Sequence, residues 1–377
     1  LFEEIAMSPI SIARKAEAAT AVGLPLSWYF DPEILEIERR ELFDAGPTFA
    51  GHQCLVPNNG DYTVRGGPQA GRVLVKNDGE VQLISNVCRH RQAQLLTGCG
   101  HAKHIVCPIH NWAYDLDGCQ VAAPHFGENP RLDLPRTSLT DWNGLLFTGP
   151  RDVRRELAPL AGWTELADRD VVLERVDEEE YDVNWKAFLE VYLEDYHIGT
   201  IHPGFRAFVD PCDLYGAIQI AGGERFCCEQ VKVRWPLATA GSPLFAEYQK
   251  ILLDVSQGLR PEFAAVWLCL FSGQLVEWYP YSFVVTTYTP LSPRRTRLRS
   301  EYFFDREIAA TRRDYVEAGL AVLDEVTGED QMAAEMLEQG RVAAFARGDD
   351  CRGPYQVPME QGLRRFHDCL RDIVCGT

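Results

Sequence analysis

A chain of 377 residues has room for two domains, and 46% hydrophobic with 24% charged residues lets it bury a sizeable core. The net charge of −18 argues against nucleic acid and against an anionic membrane surface as partners, and says little about a small substrate. No apolar run approaches the ~20 residues of a membrane span; the longest, Ala264 to Phe271, reads as a buried strand.

No signal peptide is visible. The opening LFEEIA has no initiator, and Met7 is a candidate natural start. Cytoplasmic localisation is the expectation, and thiols stay reduced there. Of the twelve Cys, the ten outside the motif described below therefore read mostly as small buried residues, Cys54, Cys227, Cys228 and Cys269 among them.

Residues 1–30 are weakly patterned. Asp31-Pro32 then opens a helix, with Asp31 as N-cap and Pro32 in the first turn; it runs to about Asp44 and stops before Gly46-Pro47. From Gly51 to about Pro150 the texture is of short strands: Tyr62–Arg65, Arg72–Lys76, Val81–Ser85 and Leu145–Thr148. Asn-Gly and Asp-Gly turns separate them. Beyond Arg151 the pattern is mixed. Asn184 caps a helix reaching to His197. Strands are expected at Glu229–Trp235, Phe263–Phe271, Ser282–Thr289 and Thr296–Phe304, and helices at Glu307–Leu323 and Asp330–Ala344. The chain thus divides into a lead-in over 1–48, an all-β domain over 49–150 and an α+β domain over 151–377 with an antiparallel sheet flanked by helices.

The all-β domain carries Cys88 and His90 as C-x-H, then Cys107 and His110 as C-x2-H, sixteen residues apart. Two thiolates for one iron and two imidazoles for the other suit a Rieske [2Fe–2S] cluster. Cys2His2 is also a zinc set. Zinc fingers, however, pair Cys with Cys and His with His, whereas each arm here mixes them, in a setting without a finger helix. His101, His104 and His125 complete no such spacing and read as surface or loop residues.

A second site falls in NWKAFLEVYLEDYHIGTIHP. His197 and His202 flank Gly199, where a turning helix end would let both imidazoles converge. A carboxylate from elsewhere would complete a two-His-one-carboxylate face for non-haem Fe(II). On the preceding helix Trp185, Phe188, Tyr192 and Tyr196 form one stripe, with Glu190, Glu194 and His197 opposite. That face is either a solvated acidic surface or the wall of a site.

CRHR (Cys88–Arg91), CPIHNWAYDLDG (Cys107–Gly118), the N-W-K…H-x4-H segment and the ending GPYQVPMEQGLRRFHDCLRD resemble the large subunits of Rieske non-haem iron oxygenases. The similarity is to the ring-hydroxylating and choline-monooxygenase-like type, and it extends over roughly Leu24 to Ile373. Two positions depart from that family's CPYHGW: Ile109 replaces an aromatic and Asn111 replaces Gly. Asn tolerates a left-handed backbone better than most residues, so the turn can survive.

The resemblance implies a helix-grip catalytic domain on which the lead-in packs. It implies a cluster held by Cys88, His90, Cys107 and His110, and a mononuclear Fe(II) held by His197, His202 and Asp330, with Glu329, Asp324 and Glu335 as alternatives to Asp330. Glu194 takes the place of the acid that bridges the two metal sites across a subunit boundary. On a continuous helix it stands about 60° from His197, against about 160° for Asp195. Further implications are a homotrimer, a separate NAD(P)H-dependent reductase with or without a ferredoxin, and O2 activation. The expected outcome is monooxygenation of a small substrate such as a quaternary amine or an aromatic acid. Aromatic cis-dihydroxylation is the runner-up, and electron transfer without oxygenase activity is the alternative of another class. The aromatic-rich strands (Trp267, Trp278, Tyr279, Tyr281, Phe283, Tyr288) read first as strand packing and second as a cation cage.

Overall fold

A computed structural model describes residues 22–207, 218–232, 241–259, 263–350 and 352–376. Met7, Cys212, Trp235 and Cys351 lie outside the described residues. Two compact units emerge: Gly46–Glu174, and Leu1–Ala45 together with Arg175–Thr377.

The smaller unit is built of β strands, with only short helical turns such as Val153–Glu156. Strands β1 (Thr48–His52), β10 (Thr140–Trp142) and β11 (Leu145–Thr148) form one sheet in the order β1-β11-β10. A five-stranded sheet runs β5-β2-β3-β4-β9, from β2 (Asp61–Val64), β3 (Arg72–Asn77), β4 (Glu80–Ser85), β5 (Cys99–His101) and β9 (Arg136–Thr137). The third sheet is β6 (Ile105–Val106), β7 (Ala113–Tyr114) and β8 (Gln120–Ala122). Alternation sets its core: Val73 and Val75 of β3 and Ile84 of β4 pack with Ile105, Trp112 and Tyr114 beneath the two Cys/His loops.

The larger unit is built on a seven-stranded sheet. Strands β13 (Ile218–Gly222), β14 (Phe226–Lys232), β15 (Phe263–Leu270), β16 (Gln274–Tyr279), β17 (Ser282–Ser292) and β18 (Arg295–Asp305) follow one another as an antiparallel meander. β12 (Val171–Tyr181) joins at the β18 edge. The sequence reading missed β12 because its DEEEY end looks solvated. It is a strand because Glu178 and Glu180 pair with Arg299 and Arg297 of β18.

Helix α1 (Pro32–Glu38) starts as expected, the Asp31 side chain accepting from the Glu33 amide at 2.8 Å, but Arg39–Phe43 is a π turn. Helix α2 (Trp185–Tyr192) is capped by Asn184 and ends at Leu193, well short of His197. It is followed by the single turn α3 (Ile198–Ile201), which contains Gly199. α4 (Pro243–Val255) and the 34-residue α5 (Arg313–Ala346) cover the sheet with α2, and α6 (Gln361–Cys375) closes the chain. The two helices expected at 307–323 and 330–344 are thus mostly one: a short Arg306–Thr311 helix precedes α5, which runs straight through Thr327-Gly328. Two poor helix formers in mid-helix cost only about 1–2 kcal/mol, which packing against α2 and α4 outweighs.

The N-W-K triplet acts as a clasp. The Asn184 amide donates to the carbonyls of Tyr29 and Pro293 at 2.8 and 2.6 Å. Trp185 Nε1 and Lys186 Nζ both donate to the buried Glu38 carboxylate of α1, at 2.8 and 2.6 Å. Glu190, read from sequence as part of an acidic face, is buried; its carboxylate accepts from Tyr29, from Arg341 at 2.5 Å and from His367 at 2.9 Å. Helix α2 is therefore buried on all sides, and Tyr196 falls off its apolar stripe to stand 59% exposed.

Candidate active site

The Cys/His loops share one geometry. Cys88 N–H bonds the Ala93 carbonyl and Gln92 N–H bonds the Cys88 carbonyl; Cys107 N–H bonds the Trp112 carbonyl and Asn111 N–H bonds the Cys107 carbonyl. Each loop returns through a left-handed residue, Gln92 (φ 56°) and Asn111 (φ 58°). Asn111 thus does what glycine would do there. Cys88 and Cys107 are buried, while His110 is exposed. The His90 and His110 rings lie 4.7 Å apart, and His90 stacks on Trp112 at 4.9 Å.

Burial would raise the Cys88 thiol, but the His90 amide and the Tyr114 hydroxyl, 3.6 Å from the sulfur, hold it below its usual value. That favours the thiolate a cluster needs. His90 Nδ1 is buried without a hydrogen-bond partner among the described residues, as a ligand atom would be. The four side chains do not crowd together as four ligands of one tetrahedral ion must. Among the described residues the only such convergence of three or more His, Cys, Asp or Glu is in the larger unit. The donor set fits a two-iron cluster better than zinc. His101, His104 and His125 are exposed, and His101 bonds Asp61 at 3.1 Å.

In the larger unit His197 and His202 bracket α3. Their Nε2 atoms stand 3.0 Å apart, and Asp330 Oδ1, from the middle of α5, lies 3.4 and 2.9 Å from them. The other imidazole nitrogens are engaged: His197 Nδ1 meets Glu194 at 2.7 Å, and His202 Nδ1 meets Glu329 at 2.7 Å. Each Nδ1 donates its proton to a carboxylate, so each neutral ring offers Nε2 as an acceptor. Three acceptors then face one point, an arrangement that requires a cation between them. Burial lowers the His197 pKa, yet Asp330 and Glu194 outweigh it and push the group up to about 10. Positive charge, from a proton or a metal, is what this pocket of acids holds. A divalent iron fits that donor set.

Asp324 pairs with Arg175 and Glu335 accepts from Gln331, so neither reaches the histidines. Glu329, weighed from sequence as an alternative ligand, instead orients His202. Glu194 reaches His197 without the continuous helix that the wheel assumed: its Oε2 accepts the His197 backbone N–H at 3.0 Å in the turn after α2. Asp195 points elsewhere and is buried, its amide bonded to the Met359 carbonyl.

The three groups open on a pocket lined by Tyr192, Phe205, Tyr248, Trp267, Glu277 and Tyr279, among others. The aromatic strands divide their labour. Trp267 and Tyr279 line the pocket, whereas Phe283 stacks on Phe303 and Tyr288 packs on Phe188. Glu277 was missed in the sequence. The signal was present as an acid among apolar neighbours in QLVEWY, on a largely buried strand.

The family model for the Rieske [2Fe–2S] domain matches residues 47–136, and that for the ring-hydroxylating alpha subunit (catalytic domain) matches 163–376. The chain belongs to the ring-hydroxylating alpha subunit family: it is a Rieske-type oxygenase. It is an oxidoreductase that takes electrons from a separate partner and acts on a small substrate with O2, using a Rieske cluster and a mononuclear iron. It is 42% identical to putrescine 2-hydroxylase of Ralstonia nicotianae, over 93% of this chain and 95% of that one. It is 25% identical to the chloroplastic choline monooxygenase of Beta vulgaris, over 94% and 77%. The quaternary ammonium Rieske monooxygenase CntA shares the fold, with a TM-score of 0.73 at 19% identity over 95% and 97% of the two chains. No helix among the described residues is long and apolar enough to cross a membrane.

Proposed function

We propose that this chain hydroxylates a C–H bond of a small aliphatic amine. Cys88, Cys107, His90 and His110 would hold the cluster, and His197, His202 and Asp330 the iron. The observation that carries the reading is the convergence of His197, His202 and Asp330 on the floor of an aromatic pocket whose other fixed charges are acids, Glu194 and Glu277. Among the described residues no lysine or arginine lines it, so an aromatic acid has no counter-ion there and an ammonium group does. The names of the relatives, a putrescine hydroxylase and a choline monooxygenase, point the same way.

Bound there, iron supplies O2 activation, in which two electrons and two protons accompany one O2, one oxygen enters the substrate and the other leaves as water. The protein's part is placement. Glu194 and Glu329 fix the tautomers of His197 and His202, and the aromatic walls exclude water. Glu194, about 14% exposed, is well placed to meet a cluster histidine of a neighbouring subunit. A homotrimer fed by an NAD(P)H-dependent reductase in the cytoplasm completes the proposal. Incubation under 18O2 with putrescine, choline and an aromatic hydrocarbon tests it. One labelled oxygen in an amine product is expected; a diol with two labels overturns it.

A further inference from the structure

Glu277 is set into the wall of the pocket, with no cationic side chain paired to it among the described residues. It sits on β16, opposite Trp267 of β15 and Val284 of β17 in the strand register. Directly opposed residues share a face, so Glu277 and Trp267 stand side by side on the pocket side of the sheet. Residues two apart also share a face, which brings in Tyr279; its hydroxyl donates to Glu277 Oε1 at 3.1 Å. Among the described residues no Lys, Arg or His forms an ion pair with Glu277. Asp330 is near enough for the two negative charges to oppose each other.

A carboxylate in such a place is costly unless something positive joins it. Burial pushes its pKa up to about 7, with Asp330 adding to the effect. Nearby, Tyr192 also lines the pocket, and its hydroxyl is buried without a hydrogen-bond partner among the described residues. An acid with no ion-pair partner and an unbonded hydroxyl, both among the described residues and beside aromatic rings, make a receptor for a group that is both cationic and a hydrogen-bond donor.

We infer that Glu277 is the substrate-recognition residue, taking the primary ammonium group of an alkylamine through N–H···O bonds, with Trp267 and Tyr279 against its alkyl chain. This rests on the amine reading proposed above and sharpens it. A quaternary ammonium has no N–H to give, so Glu277 selects a primary amine over its permethylated counterpart. Its function is binding and orientation, and its loss should appear in Kd and KM far more than in kcat.

Anaerobic calorimetry with 1,4-diaminobutane, its permethylated diammonium and choline tests this on the wild type, Glu277→Gln and Glu277→Asp proteins, each with cluster absorbance and iron content measured. The diamine should bind the wild type, and Glu277→Gln should weaken it on the order of 100-fold with both metals retained, as loss of one partner of a buried charge pair does. Glu277→Asp should keep part of the affinity. Permethylation should weaken binding to the wild type by at least about tenfold. Equal diamine affinity in the wild type and Glu277→Gln overturns the inference while leaving the amine reading intact. So does equal wild-type affinity for the diamine and its permethylated form, a comparison that stands even if Glu277→Gln does not fold. If the wild type binds none of the three amines, the amine reading itself fails and the inference falls with it.

Discussion

The two proposed metal sites are built on opposite plans. The Cys/His loops belong to a small β unit, span residues 88–110, and place His110 at the surface. The His/His/Asp site joins segments remote in sequence, and carboxylates hold its histidines, Glu329 reaching His202 from 127 residues away. A group that must deliver electrons outward is served by local loops that bring one imidazole to the surface. A group that must keep water from a reactive centre is served by long-range packing and a buried polar shell. The buried site should therefore be far more sensitive to distant substitutions than the loop site.

The largest effect should follow loss of the proposed ligand contributed by α5. Asp330→Ala removes one of three donors and leaves two imidazoles facing each other. Mononuclear iron should fall below stoichiometry while the cluster's absorbance persists, and hydroxylation should drop on the order of 10^3-fold, beyond the 10–100-fold that outer partners carry. Metal analysis showing three irons per chain in the variant would contradict the assignment.

Next comes the buried polar network behind the site. Glu190 is fully enclosed. Burial alone would raise its pKa, but Arg341, His367 and Tyr29 outweigh that and hold it at about 2, below its usual 4.5. A depressed carboxylate contributes stability that is present above about pH 4.5 and is lost as pH falls through about 2. The difference corresponds to about 3 kcal/mol. Glu190→Gln should lower stability at pH 7 by about 3 kcal/mol and flatten the acid limb of the pH–stability curve. Urea melts between pH 7 and pH 3 measure both, and an unchanged acid limb would remove Glu190 from that role.

These two cases show what the sequence could disclose. The cluster loops were legible because their spacing is local: the four proposed ligands and two tight turns lie within 23 consecutive residues, Cys88 to His110. His197 and His202 were legible for the same reason. The helix expected to reach His197 was not, because α2 stops at Leu193. The cause is tertiary: the Leu193 carbonyl accepts from Leu363 and the Asp195 amide bonds the Met359 carbonyl, contacts from the far end of the chain. The burial of Glu190 was hidden likewise, since its partners Tyr29, Arg341 and His367 are remote in sequence. Most of the meander was visible as apolar runs. β12 was invisible because its cross-strand arginines had first to be brought beside it.

Smaller effects should separate the two carboxylates that orient the histidines. Glu329→Gln and Glu194→Gln each weaken one carboxylate–histidine pair, so each should cost 10–100-fold in iron affinity. With iron restored to saturation they should part. Glu329→Gln recovers, whereas Glu194→Gln retains slow electron delivery in single turnover if it also faces a neighbouring cluster. Equal recovery in both would confine Glu194 to holding His197.

The smallest effect should come from the loop site, and its sign should reverse. Asn111 is held at φ 58°, a left-handed conformation that costs a residue with a Cβ about 1 kcal/mol, less for Asn than for most. Gly pays no such steric cost, and its greater freedom when unfolded offsets part of the gain. Asn111→Gly should therefore raise stability by a few tenths of a kcal/mol up to about 1, with the cluster spectrum unchanged. The turn itself is held by the backbone bonds from Cys107 to Trp112 and from Asn111 to Cys107, which the substitution leaves in place. A loss of stability, or a shifted spectrum, would show that the Asn111 side chain supports the loop and that the cluster end also depends on a polar shell.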